Sequence, residues 1–397
     1  MKKAAGLMAL ATLAVAGCVQ NKADDDAQKI AVTSTADGCE VAAATAKSGT
    51  VAFEVKNDGD QVTEFYLLGD DKLRVIGEVE NIAPGTSRTL TFVAQPGSYF
   101  TVCKPGMVGD GVGQTAFTVT GEAVKTDVDD EKAVATAVAN YTAYTKTQVA
   151  ELVTNVGELT AAYKAGDDEQ AKKLFPITRI NYERIEPTAE QFGDLDPKID
   201  YRKPGADTEG LPWTGFHRVE ADLWLDEAKK NYPGDPITTA LTAEQRGTLA
   251  DQLVADVKTL YEQVHSTSFM LTIGDITNGA IGLLDEVAAP DGKLPGEEDE
   301  FSHTDLYDFF ANVEGAEVAY LNVRDLAAGK DGGPELVTTL DKQFKAMKTL
   351  LGKYGSYDKG FVSYDTVPQS ERNALGAQLN ALSEPLSKLT SQVLGVS

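Results

Sequence analysis

Cysteine and histidine are both scarce in this chain of 397 residues, which contains three of each. So few thiol and imidazole ligands exclude zinc-finger arrays, clustered iron–sulfur centres and scaffolds held together by many disulfides. Basic residues are also outnumbered, since 36 Lys and Arg face 61 Asp and Glu and leave a formal net charge of −25. Because a chain this acidic is repelled by phosphate backbones, we expect no binding to nucleic acid.

Long apolar runs are absent except at the N-terminus. Two lysines precede the apolar residues 4–16, and Val15-Ala16-Gly17 then leads to Cys18 in the pattern of a bacterial lipobox. This pattern predicts a lipoprotein signal peptide over residues 1–18 with lipidation at Cys18, and an ordinary signal peptide is the alternative. Residues 19–28 are polar and acidic and predict a flexible tether. We therefore expect an exported protein, anchored by lipid to the outer side of the cytoplasmic membrane, in the periplasm or at the cell surface.

Residues 29–124 have the pattern of an all-β domain. Apolar residues alternate at Val51, Phe53 and Val55, and the same period of two recurs around residues 65–67, 90–92 and 117–119. Turn residues such as Asn57-Asp58-Gly59-Asp60 separate these runs. Six to eight short strands punctuated in this way predict a Greek-key sandwich.

The remaining part of the chain, residues 131–397, has the pattern of an all-α bundle. Its first window is almost free of glycine and proline and predicts a helix roughly 50 Å long at 1.5 Å per residue. Loops rich in Gly, Pro and Asp separate this window from those that follow. The predicted helices cover residues 131–165, 168–191, 214–231, 243–272, 303–328, 334–354 and 369–394.

Three short segments of the helical part combine carboxylates with histidine. Glu183 and Glu186 lie three residues apart in the first, His217 and Glu220 lie three apart in the second, and the third contains His303 and two aspartates. Residues at this spacing share one face of a helix, and inward-facing carboxylates and histidines build metal sites in helical bundles. Carboxylates at this spacing more often lie on a solvent-exposed helix face than in a metal site. A metal site is favoured here because one of only three histidines in the chain lies three residues from a glutamate. Oxygen donors with one imidazole suit iron, manganese, zinc or calcium better than copper(I).

The segment Gly-Phe-His-Arg-Val-Glu at 215–220 resembles the Gly-x-His-x-x-Glu signature of imelysin-like proteins. The strings at 179–187, 192–200 and 302–309 resemble the same family. With a cupredoxin-like domain in front, the chain is similar nearly end to end to bacterial iron-uptake lipoproteins. The resemblance implies a multidomain protein, in which an all-β cupredoxin-like sandwich precedes an all-α imelysin-like bundle. It also implies one metal site with the ligands His217, Glu220, Glu183, Glu186, Asp200 and Glu286, with Asp196 and Asp285 as alternatives to the last two.

The resemblance also implies a function. It implies that iron, ferrous or ferric, is captured outside the membrane and delivered to an iron permease. A haem peroxidase is a further implied partner, and zinc and copper are other ions that the protein could bind. An imelysin-like zinc metallopeptidase is the first alternative, although the second histidine of a zincin or inverzincin is absent and Ala221 stands where the latter needs it. The second alternative is an adhesion or scaffold lipoprotein that binds no metal. We expect a protein that is not an enzyme.

The two cysteines of the β domain allow two interpretations. A blue-copper centre needs two histidines, and all three histidines follow residue 216. In an exported protein two cysteines in one domain most often form a disulfide, which would join Cys39 to Cys103. The family resemblance instead implies a second metal site built from Cys39, Glu64 and Cys103. Both interpretations stay open at the level of the sequence.

Overall fold

The computed structural model describes residues 27–107, 109–124, 130–289 and 292–394. The predicted signal peptide, its lipidation residue Cys18 and most of the predicted tether lie outside the described residues. None of the helices within the described ranges is long and apolar enough to cross a membrane.

The first domain consists of two packed β-sheets. Its strands are β1 (Gln28–Ser34), β2 (Cys39–Val41), β3 (Thr45–Lys47), β4 (Gly49–Asn57), β5 (Thr63–Leu68), β6 (Val75–Ile82), β7 (Ser87–Ala94), β8 (Gly97–Cys103) and β9 (Val112–Thr120). One sheet has the order β2-β1-β4-β7 and the other the order β3-β9-β8-β5-β6. The predicted sandwich is confirmed, and each alternating run lies on a strand. The parallel pairs β1–β4 and β3–β9 were not predicted, since alternation does not reveal strand partners.

Aromatic residues from both sheets fill the centre of the sandwich. Phe53 of β4 packs against Phe65 of β5 and Phe117 of β9, with ring centroids 5.1 and 5.2 Å apart. A disulfide between Cys39 and Cys103 joins β2 of one sheet to β8 of the other, with 5.4 Å between the Cα atoms. Burial of these rings and the covalent link hold the two sheets face to face.

The second domain is helical, as predicted, and carries only one short hairpin within its described residues. Its α-helices are α1 (Asp130–Ala165), α2 (Asp168–Ile185), α3 (Asp196–Asp200), α4 (Lys203–Glu209), α5 (Gly215–Leu223), α6 (Leu225–Asn231), α7 (Ala243–Val264), α8 (Ile273–Ala288), α9 (Asp305–Ala328), α10 (Gly333–Leu351), α11 (Gln369–Leu386) and α12 (Leu389–Leu394). The second domain also contains the hairpin of β10 (Gly355–Ser356) with β11 (Gly360–Phe361) and three 3₁₀ helices, at Glu186–Leu195, Pro236–Thr238 and Tyr364–Thr366. A further 3₁₀ helix, Pro105–Met107, lies between β8 and β9 of the first domain.

Several helical expectations need correction. The window 243–272 ends as an α-helix at Val264, and the window 369–394 is two helices, α11 and α12. The window 168–191 ends as an α-helix at Ile185 and continues as a 3₁₀ helix from Glu186, because Pro187 has no N–H with which to continue the α-helical hydrogen bonds. The window 214–231 is two helices, α5 and α6, separated at Trp224. Helix α8 was missed because three glycines lower its helix propensity, and one of them, Gly279, packs so closely on Pro187 that no side chain fits.

The two domains share a polar and an apolar contact. Lys104, only 2% exposed, reaches Glu151 of α1 at 3.4 Å, and Lys146 of α1 reaches Glu80 of β6 at 3.0 Å. Tyr66 and Val102 of the sandwich belong to the same buried apolar cluster as the core of the helical domain. These contacts pack the outer face of the five-stranded sheet against the long first helix.

Candidate metal centre

Residues from five parts of the helical domain meet around His217. The imidazole is 1% exposed and lies on α5, opposite the C-terminal residue of α3, Asp200. Helices α2 and α9 and the loop 297–304 close the remaining sides. Gly215 permits this approach: its φ is +77°, and a Cβ there would lie 2.2 Å from the carbonyl oxygen of Ile199. The glycine of the Gly-x-His pattern thus brings α3, which carries Asp200, into contact with α5, which carries His217.

The Nε2 atom of His217 faces two carboxylates. It lies 3.4 Å from Oε1 of Glu298 and 3.7 Å from Oδ1 of Asp200, and it makes no hydrogen bond with a described residue. The three side chains form a group whose ligand atoms are close enough to share one ion. An unpartnered buried nitrogen aimed at two carboxylate oxygens is a suitable donor set for a divalent or trivalent first-row metal ion.

The other nitrogen of the ring is held by Glu220. Oε2 of Glu220 lies 3.1 Å from Nδ1 of His217, and its Oε1 accepts hydrogen bonds from the backbone N–H groups of Phe301 and Ser302 at 3.0 and 2.7 Å. A second group that could hold an ion combines His217, Glu220 and Asp299. Since Nδ1 is already bonded to Glu220, the group on the Nε2 side is the better candidate, and Glu220 orients the ring as carboxylates do beside metal-bound histidines.

A buried arginine lies in the middle of these carboxylates. Arg179 of α2 is fully buried and forms ion pairs with five acidic residues. These are Glu183, Asp200, Glu298, Asp299 and Asp308. The guanidinium therefore balances part of a negative charge that burial would otherwise make very costly.

Lys293 is a second buried cation in the cluster. Its Nζ atom lies 3.2 Å from Glu183, 3.1 Å from Glu186 and 3.7 Å from Glu298. Asn312 of α9 donates to Glu183 and Glu186 at 2.9 and 2.6 Å. Glu183 and Glu186 are therefore held together, as their spacing predicted, but by an ammonium and an amide rather than by His217.

The charges of the cluster shift its proton equilibria. Burial and Arg179 lower the pKa of His217, but the hydrogen bond to Glu220 and the nearby carboxylates of Glu298 and Asp200 outweigh them and raise it to about 10. Burial raises the pKa of Asp200 to about 7 against the opposing effect of Arg179. Burial, with the charge of Glu220, raises the pKa of Asp299 to about 6. At neutral pH the imidazole is thus protonated, and an ion binding at Nε2 must displace that proton.

An acidic cavity leads to the cluster from outside. It has a volume of about 380 Å³. Its acidic wall includes Glu186, Asp196, Asp200, Glu286, Glu297 and Glu298. Arg202 also lines the cavity, but the acidic residues outnumber it, and a cleft with an excess of negative charge attracts cations. The cavity thus gives a cation access to Asp200 and Glu298, the two carboxylates that face Nε2 of His217.

Of the predicted ligands, His217, Glu220 and Asp200 lie in the groups that could hold an ion. Glu183 and Glu186 are adjacent to them, whereas Glu286 is exposed at the cavity wall and belongs to neither group. The alternative Asp196 accepts a hydrogen bond from Tyr182 at 2.5 Å, and the alternative Asp285 is exposed. Which of these residues bind an ion remains a prediction.

Sequence reasoning missed the loop that completes the site. Glu298 and Asp299 were assigned no role, although the acidic run at 297–300 beside the Ser-His-Thr-Asp string was a visible signal. Arg179 and Lys293 carried no signal, because a basic residue next to acidic ones usually forms a surface pair. The other two histidines lie elsewhere: His265 stacks on Tyr261, and His303 lies 3.9 Å from Glu227.

The β domain resolves its two interpretations in favour of the disulfide. The sulfur atoms of Cys39 and Cys103 are bonded at 2.03 Å, so neither is available as a thiolate ligand while the bond is intact. Glu64, the third predicted residue of that site, accepts a hydrogen bond from the hydroxyl of Tyr66 at 2.8 Å. The expectation of a thiolate and carboxylate metal site from these three residues is therefore corrected, because both sulfurs are already bonded to each other.

Comparison with known proteins agrees with both halves of the structure. A family model described as imelysin matches residues 137–389, and one described as a cupredoxin-like domain matches residues 7–113. The chain is similar to the iron uptake system component EfeO of Escherichia coli O157:H7, with 37% identity over 377 residues that cover 94% of this chain and 92% of the relative. The proteins of the same name from Escherichia coli K12 and Shigella flexneri are 36% identical over the same shares.

Proposed function

The chain belongs to the EfeO-type branch of the imelysin family, and on that premise we propose that it captures iron outside the cytoplasmic membrane and delivers it to a membrane permease. Iron is the cargo, ferrous or ferric, and zinc and copper are the competing ions. The observation that carries the proposal is the convergence of Nε2 of His217 with Asp200 and Glu298 at the end of an acidic cavity.

The donor set matches this task. We propose that His217, Asp200 and Glu298 bind the ion, and that Glu220 orients the imidazole by holding Nδ1. Calcium and magnesium favour shells made only of oxygen, so an imidazole nitrogen at the centre of the site favours a transition metal over them. Glu186 and Glu286 line the cavity and supply negative charge along the path of entry, and Glu183 adds to it from the buried cluster behind them.

We propose binding rather than peptide cleavage as the role of the site. A catalytic zinc site has three protein ligands and an open position for water, and the ion stays a stronger Lewis acid when few of those ligands are anionic. Here three carboxylates lie within 4 Å of the single imidazole's nitrogens, in addition to the Glu220 that orients it. This excess of negative charge weakens the ion as a Lewis acid.

Calorimetric titration tests the proposal. Wild type and the variant His217→Ala are titrated with ferrous ion without oxygen, and with ferric citrate, zinc and copper, and casein cleavage is assayed with zinc present. We expect one ion to bind wild type and a large loss of affinity in the variant. Equal binding by both proteins removes the site, and cleavage of casein that depends on His217 favours the metallopeptidase instead.

We also propose that the protein is anchored by lipid at Cys18, and that the iron permease and a haem peroxidase of the same uptake system are its partners. The lipobox pattern supports the first point and the EfeO-type family the second. Replacing Cys18 by alanine should release the protein from the membrane fraction. If the variant stays membrane-bound after a carbonate wash, the lipid anchor is wrong.

A further inference from the structure

We propose that Arg179 is a tethered counter-cation, which competes with the bound metal ion for two ligand oxygens and thereby promotes release of the ion. The inference rests on the function proposed above. It assigns to a residue of α2 a role that the sequence pattern of ligands does not contain.

The competition follows from shared atoms. Nη1 of Arg179 bonds to Oδ1 of Asp200, and Nη2 lies 3.1 Å from Oε1 of Glu298. These two oxygens are the same atoms that face Nε2 of His217 at 3.7 and 3.4 Å. An ion bound by them at ordinary metal–ligand distances of about 2.0–2.2 Å would lie within a few ångströms of the guanidinium. Two cations that close, in a largely buried site, repel each other strongly.

The surroundings of Arg179 offer the guanidinium a second position. Nε of Arg179 already donates to Oδ2 of Asp308 on α9 at 3.4 Å, whereas Oδ1 of Asp308 and Oδ1 of Asp299 are buried without a hydrogen-bond partner among the described residues. The rings of Phe175 and Phe216 lie 5.9 and 5.6 Å from the guanidinium carbon. The two Nη atoms can therefore turn from Asp200 and Glu298 towards the unpartnered oxygens of Asp308 and Asp299, while Nε keeps Asp308 as its carboxylate partner.

Metal binding in this arrangement is an exchange of cations. Arg179 neutralises the buried carboxylates when the cargo has left, which keeps the fold stable, and it returns to Asp200 and Glu298 when the ion departs. A site made of the same carboxylates without an internal cation would hold the ion too tightly for a protein that must hand it on. Arg179 thus lowers affinity and speeds release.

The test compares three variants under the same conditions. Arg179→Met removes the charge, and Arg179→Lys keeps a charge that cannot bridge two carboxylates. Arg184→Met is the matched control, because Arg184 lies on the same helix and pairs with Glu314 at 2.9 Å, away from His217. For each protein we would measure the zinc affinity by competition with a chelator, the rate of zinc transfer to that chelator, and the melting temperature with and without zinc.

We expect Arg179→Met to melt at a lower temperature than wild type without zinc, and to gain more from added zinc. Its zinc affinity should rise roughly ten- to a hundredfold, as expected when one nearby charge is removed from a partly screened site, and its transfer rate should fall. The zinc affinity and transfer rate of Arg179→Lys should lie between those of wild type and Arg179→Met. Those of Arg184→Met should match wild type. Unchanged or weaker zinc binding by both Arg179 variants overturns the inference, since Arg179 is then only a structural partner.

Two further outcomes keep the test decisive. If wild type itself binds neither zinc nor iron, the proposed function fails, whatever the variants do. If Arg179→Met does not fold, a crystal structure of wild type with zinc bound decides the matter. A guanidinium that still bridges Asp200 and Glu298 beside the ion overturns the inference, and one that has turned to Asp308 supports it.

Discussion

Glu220 holds His217 in a fixed orientation from one turn along the same helix, with 3.1 Å between Oε2 of Glu220 and Nδ1 of His217. The same carboxylate accepts two backbone hydrogen bonds from the loop that carries Glu298. One side chain therefore sets the direction of the imidazole and the position of the loop opposite it.

Replacing Glu220 by glutamine should lower metal affinity roughly 10- to 100-fold, as removal of a carboxylate behind a metal-bound histidine commonly does. The amide has only one acceptor oxygen, so either the ring or the loop loses its partner. Calorimetry with zinc measures the effect. Glu227→Gln is the control, because Glu227 lies near His303 instead. Wild-type affinity in Glu220→Gln would contradict the orienting role.

Metal affinity should rise with pH. The pKa of His217 is raised to about 10 by Glu220, Glu298 and Asp200 against the effects of burial and Arg179, so an ion must displace a proton from Nε2 at neutral pH. One displaced proton predicts about a tenfold gain in affinity for each pH unit below that value. Zinc titrations between pH 6 and 8 in buffers of different ionisation enthalpy give the proton count. The count should fall by about one in His217→Gln, and an unchanged count would contradict the assignment.

The same shift predicts the pH dependence of stability without an ion. A folded-state pKa of about 10 lies above the ordinary value of 6.5, so the folded protein binds this proton more tightly than the unfolded chain does. The resulting stabilisation is complete below pH 6.5 and is lost as pH rises through 10. Urea unfolding of chelator-treated protein should therefore show a decline over this range. The decline should be smaller in His217→Gln.

Gly215→Ala should weaken metal binding far more than Gly210→Ala. Both glycines have positive φ, +77° and +66°, so alanine strains the backbone in either. Only at Gly215 would the new methyl group meet another segment, at 2.2 Å from the carbonyl oxygen of Ile199. The helix carrying His217 must then move away from Asp200. Zinc affinity and circular dichroism of the two variants decide this, and equal affinities would show that the close approach is not required.

Joint replacement of Cys39 and Cys103 by alanine should destabilise the sandwich without changing metal binding at His217. The disulfide closes a loop of 64 residues, and the chain-entropy argument gives about 4 kcal/mol for a loop of this length. Denaturant unfolding of the two proteins measures the loss. Zinc or copper binding that appears only in reduced wild type would restore the thiolate site instead.

Much of the architecture was predictable because it depends on local patterns. A period of two in Val51, Phe53 and Val55 places one face of a strand in a core, and the run without proline from residue 131 favours one long helix. The pairing of His217 with Glu220 was also predictable, since three residues always span nearly one helical turn. Helix α8 was missed for a local reason, its glycines, which only the tight contact with Pro187 explains.

The sequence by itself determined the two domains, the acidic character and the helical face that carries His217 and Glu220. The tertiary structure alone decided which carboxylates face Nε2, and it selected Asp200 and Glu298, which are 98 residues apart in the chain. It also decided that Arg179 is buried among five acids rather than exposed. Periodicity reports which side of an element is buried, but the distance between two charged groups depends on how distant elements pack, and that distance sets their energy.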